Sequence, residues 1–140
     1  MFLQEYRVDG FRYDQNMVID DDGGAEGWPF LQDLTNTLNV FYVHENDRII
    51  AWHRWLEGMG CDVVMVASLN EVTFSSYQLG MPQGGEWREV FNSDVYDHYP
   101  NPQTAGNGGI LFAGGASMHG LPCSATVVIP ANSIMVFTRG

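Results

Sequence analysis

Arg12 and Asp14 stand two residues apart in a stretch that reads as a strand, which places both side chains on one face. A guanidinium beside a carboxylate holds it ionised, the state that suits a nucleophile or an electrostatic stabiliser. The same pair on a surface is an ordinary ion pair. Asp9, Asp20, Asp21, Asp22 and Glu26 are the neighbouring carboxyl groups that a second, proton-donating role would have to recruit. His44, His53, His98 and His119 lack metal-ligand spacing, so no metal is expected, and solvent-facing or hydrogen-bonded roles are expected for them. Cys61 and Cys123 are the two cysteines. Thiols in a reducing compartment are expected, with a disulfide as the alternative because two cysteines can pair. The glycines at 106, 108, 109, 114 and 115 are followed by no helix start, so they do not form a phosphate loop, and no cofactor is expected.

These residues must be positioned by short elements. Leu31, Leu34 and Leu38 recur at helical spacing after Pro29, which predicts a helix over 28–38 that Asn39 could close. After residue 45 the pattern is β. Strands are predicted over 48–55, 61–69, 72–79, 86–91, 124–129 and 133–138. In the first of them Ile50 and Trp52 share one face, and Ile49, Ala51, His53 and Trp55 the other. Turn signals separate the strands at 58–60, 70–71, 82–85 and 130–132. Short strands at this spacing predict an antiparallel sandwich or barrel, with 61–69 and 133–138 buried.

The motifs carry a family resemblance. Glu5-Tyr6-Arg7-Val8-Asp9-Gly10-Phe11-Arg12-Tyr13-Asp14 resembles the fourth-strand motif of family 13 glycoside hydrolases, the α-amylase superfamily, and is most similar to that of α-1,4-glucan branching enzymes. Gly27-Trp28-Pro29-Phe30-Leu31-Gln32-Asp33-Leu34-Thr35 resembles the segment that follows that strand. From Asp47 onward the chain resembles the carboxy-terminal β domain of the same enzymes. The clearest signatures are Val63-Val64-Met65-Val66-Ala67-Ser68-Leu69-Asn70, Gly85-Glu86-Trp87-Arg88-Glu89-Val90-Phe91-Asn92-Ser93-Asp94 and Ile129-Pro130-Ala131-Asn132-Ser133.

The resemblance implies a mainly β chain: a remnant of the catalytic barrel over 1–40 (strand, loop, one helix) and an antiparallel β-sandwich of the α-amylase carboxy-terminal type over 41–140. It maps the family nucleophile onto Asp14 and its arginine partner onto Arg12. The blocks that carry the family's acid/base glutamate and its stabilising aspartate are missing between about 40 and 45. A (β/α)8 barrel needs roughly 250 residues, so 140 cannot contain one. Retaining hydrolysis divides attack and protonation between two carboxyl groups about 5 to 5.5 Å apart. Asp9 or Glu26 would have to serve as the recruited acid. The expected function is an α-glucan-related module, weakly active or non-catalytic. A minimal retaining glycosidase and a purely structural remnant are the alternatives. Trp52, Trp55, Tyr77 and Trp87 could stack on sugar rings where exposed, with core packing as the competing use.

Composition narrows the partners. The 140 residues carry a net charge of −11, with Arg as the sole basic residue type. Nucleic acid and anionic membrane surfaces would repel such a chain, so a neutral α-glucan or small glycoside is expected. No apolar run approaches the roughly 20 residues of a spanning helix. The amino terminus does not read as a signal peptide, and a cytoplasmic location is expected. Phe2, Leu3, Val8 and Phe11 need cover, which predicts a homodimer or higher oligomer held by residues 1–40.

Overall fold

A computed structural model describes residues 38–55, 62–96 and 104–139. Within these, the strands are β1 (Leu38–His44), β2 (Ile49–Arg54), β3 (Asp62–Ser68), β4 (Phe74–Met81), β5 (Gly85–Asn92), β6 (Ile110–Ala113), β7 (Cys123–Ile129) and β8 (Ile134–Arg139), with a 3₁₀ turn at Ser93–Tyr96. One sheet runs β1-β2-β3-β8-β5-β6, and β4 and β7 form a second. Every pairing is antiparallel. The two sheets make a sandwich, as the alternation and turn spacing predict.

The core follows from period-two patterning. Ile49 and Ala51 of β2, Val64 and Val66 of β3, Met135 and Phe137 of β8, and Trp87 of β5 are buried on the face toward β4 and β7. Leu79, Met81, Val127 and Ile129 close on them from the small sheet. The other face of the large sheet is also apolar. Val40, Trp52, Met65, Val136 and Phe91 form one cross-strand row, each paired with the next. The strand predicted over 61–69 is therefore buried on one face and half-buried on the other.

Three expectations need correction. Leu38, placed at the end of a helix by its leucine spacing, instead starts β1, because the Val40–Phe41–Tyr42–Val43 run prefers a pleated surface and pairs along β2. The strand expected at 72–79 begins at Phe74: the Asn70 side chain accepts from the Val72 amide at 3.0 Å and prolongs the turn. The predicted strands also omit β6, which lies between glycines at 108, 109 and 114 and pairs with β5 from Gly85 to Arg88. The remainder of the predicted helix over 28–38, and the whole strand–loop segment before it, lie outside the described residues.

Candidate functional site

The catalytic candidates Asp14 and Arg12 and the candidate acids Asp9 and Glu26 lie outside the described residues. The four aromatic candidates do not assemble. Trp87 is 0% exposed in the middle of the core and its indole N–H donates to the Gln83 carbonyl at 3.0 Å, so it offers no ring face to a ligand. Trp52 sits in the outer row of the large sheet. Trp55 follows β2 and stacks on His53 with ring centroids 4.8 Å apart. Tyr77, on β4, enters a different cluster, formed where β1 and β4 approach.

Two β-bulges build that cluster. Between Val40 and Tyr42 the register of β1 slips by one, so Tyr42 faces Ala51 and His44 faces Ile49. Without the extra residue Tyr42 would lie opposite Ile50 and point to the outer face. A second slip, between Phe74 and Tyr77, sets Tyr77 opposite Val127 and likewise turns it inward. The two phenols then meet across the sandwich edge at 2.6 Å. Tyr77 donates to the Asp47 Oδ2 at 2.9 Å, so its oxygen accepts from Tyr42, and the relay runs Tyr42 to Tyr77 to Asp47. Asp47 lies in the β1–β2 turn, which the Asn70 side-chain amide holds by donating to the Asp47 carbonyl at 3.1 Å. The Asp47 amide donates to His44 Nδ1 at 3.1 Å, and Oδ2 lies 3.1 Å from the same nitrogen.

A hairpin in the β6–β7 connection completes the edge. Met118 and Leu121 exchange two backbone hydrogen bonds, at 3.0 and 2.9 Å, around His119 (φ +53°) and Gly120 (φ +77°). Positive φ at both central residues defines a type I′ turn. Its tip lays the His119 ring on Tyr42, with centroids 3.9 Å apart and planes 20° from parallel. The His44 ring lies 6.0 Å from that of Tyr42, with planes 18° from parallel. The Gly80 amide donates to His119 Nδ1 at 3.1 Å, which leaves the proton of the neutral ring on Nε2. Gly80 is required here, since a Cβ would come within 2.4 Å of the Met118 carbonyl oxygen.

The electrostatics follow from the geometry. Burial, then the hydrogen bonds to Tyr42 and Asp47, push the Tyr77 phenol far above its ordinary range, so it remains a donor. Burial, then the nearby His44, hold His119 below the usual imidazole value. Residues 117–122 border an open groove of about 500 Å³ beside this ring.

At the far end of β2, buried His53 donates or accepts at 2.7 Å with Asp62 Oδ1, Gln83 donates to Oδ2 at 2.6 Å, and Arg139 donates to Gln83. No hydroxyl or thiol among the described residues hydrogen-bonds His53, so the pair ties β2 to β3 and to the loop before β5. Cys123 is a half-buried free thiol at the start of β7. Among the described residues no group of three or more His, Cys, Asp or Glu side chains could hold a metal ion, and no helix is long and apolar enough to cross a membrane.

Of this cluster, sequence reading named Tyr77 as a stacking candidate and gave His44 and His119 solvent-facing or hydrogen-bonded roles, and both are hydrogen-bonded. Their assembly with Tyr42 and Asp47 was missed because two unsignalled register slips bring these residues together. The His119-Gly120 dipeptide between apolar neighbours was the one available turn signal.

Over residues 42–140 the chain matches the family described as alpha amylase, C-terminal all-beta domain. It is 32% identical over 119 residues to the 1,4-alpha-glucan branching enzyme GlgB 2 of Xanthomonas oryzae pv. oryzae (strain MAFF 311018), covering 85% of this chain and 14% of that enzyme. It is 34% identical over 119 residues to GlgB of Paraburkholderia xenovorans (strain LB400), with the same coverage. GlgB of Pseudomonas fluorescens (strain Pf0-1) is 34% identical over 127 residues, covering 76% of this chain and 17% of the enzyme.

Proposed function

Because the chain belongs to the family of alpha amylase C-terminal all-beta domains, we propose that it is a non-catalytic β-sandwich module that contacts α-glucan without cleaving it. The observation that carries this reading is the match over 42–140, together with relatives named as 1,4-alpha-glucan branching enzymes of which the chain spans about 14%. The edge cluster agrees with it: its hydrogen bonds run into one carboxylate, Asp47, whereas retaining hydrolysis needs two carboxyl groups about 5 to 5.5 Å apart. Residues 1–40 enter this reading as a barrel remnant with Asp14 at the nucleophile position, through which two copies associate. A neutral glucan is the partner, nucleic acid and membranes are not, and the cytoplasm is the location.

The test is turnover of amylose and maltohexaose by the purified chain, beside Asp14→Asn. Neither protein should exceed the blank in new reducing ends or in branching. Turnover by the wild type that vanishes in Asp14→Asn would replace this reading with a minimal glycosidase built on Asp14 and a recruited acid.

A further inference from the structure

We propose that the edge formed by Tyr42, His44, Asp47 and His119 is a binding site for one or two pyranose units of a neutral α-glucan. This rests on the reading of the chain as a glucan-contacting module and adds where the contact is made.

Three features of the edge support it. The first is its chemistry. Gly80 occupies His119 Nδ1, so Nε2 carries the proton, with no acceptor among the described residues. Tyr77 donates to Asp47 Oδ2, while Oδ1 has no hydrogen-bond partner among the described residues, and the side chain is 33% exposed. A donor and a charged acceptor beside ring faces suit vicinal hydroxyls, each of which both gives and accepts a hydrogen bond. A phosphorylated or otherwise anionic ligand would meet the Asp47 carboxylate in a chain of net charge −11.

The second feature is shape. An open groove bordered by residues 117–122 lies at the turn that carries His119. His119 lines it, and its ring is near-parallel to that of Tyr42, as the Tyr42 ring is to that of His44. The apolar C–H face of a pyranose packs on such surfaces.

The third is preorganisation beyond what the core needs. His119 is held at φ +53° by the type I′ turn, which fixes the direction of its ring. The turn that imposes this lies outside the buried cluster, as do His44 and Asp47. Two bulges and a glycine that admits the Met118 carbonyl all converge on one ring stack.

The test is affinity electrophoresis of the full chain in native gels with and without amylopectin, beside His119→Asn and Asp47→Asn. Asn tolerates the left-handed conformation, so the turn persists in the first variant. Asp47→Asn is isosteric and provides an independent reading should the first fold poorly, and far-UV circular dichroism verifies both. The wild type should be retarded, and each folded variant should lose about tenfold or more in affinity, as expected for a hydrogen bond to or from a site group. Retardation of the wild type with undiminished retardation of either folded variant overturns this site and leaves the module reading in place. A wild type that runs equally in both gels overturns the site and the glucan-contacting reading together.

Discussion

Gly80 and His119 come from β4 and the β6–β7 connection, yet each dictates the other's identity. A methyl group at 80 would strike backbone, not a pliable side chain. Gly80→Ala should therefore destabilise the chain: overpacking strain costs about 1–3 kcal/mol, of which the stiffer unfolded chain returns only about 0.4–1. Urea unfolding measures the difference, and a stability equal to the wild type would contradict the close approach. His119 makes a second prediction. Its proton affinity in the folded state is lowered from the ordinary value of 6.5, so the unfolded chain binds the proton more readily. The stability it contributes is complete above that value and is lost as pH falls through the folded-state value, because a protonated Nδ1 cannot accept from Gly80. Melting temperature between about pH 7.5 and pH 5 should fall more steeply for the wild type than for His119→Asn. The same slope in both would remove His119 as the cause. None of this was legible from residue types, since histidine spacing along the chain says nothing about which strands are folded over which.

At the scale of elements, alternation was a reliable guide wherever a strand is regular. The split of β2 into Ile49, Ala51 and His53 against Ile50 and Trp52 is what the structure shows. It was a poor guide at β1 and β4, where one inserted residue turns a whole strand end to the other face. Periodicity also could not distinguish core tryptophans from ligand tryptophans, and position in the sheet does. Trp87 lies where β5 passes under the small sheet, so Trp87→Ala should cost about 3–5 kcal/mol in urea unfolding. Trp52→Ala, on the half-buried outer row, should cost clearly less. Equal costs would mean that the outer row is packed as tightly as the core.

The whole molecule combines a sandwich whose family was readable from its motifs with a first segment that the same motifs assign to another kind of domain. On the proposal that residues 1–40 are an orphaned barrel segment, pairing between copies is expected, so light scattering should find a homodimer at tens of micromolar, on the order of the concentrations at which weak interfaces form. Removal of residues 1–36, which leaves β1 intact, should return a monomer, and assembly unchanged by that deletion would locate the interface in the sandwich. The central claim is that this sandwich meets neutral α-glucan at the β1–β4 edge. Its most direct measurement is a ¹H–¹⁵N correlation spectrum of the full chain titrated with maltoheptaose. Saturable shifts should concentrate at residues 42–47, Gly80 and 117–121. Saturable shifts confined to the outer row around Trp52 and Met65, or a spectrum unmoved at saturating sugar, would contradict it.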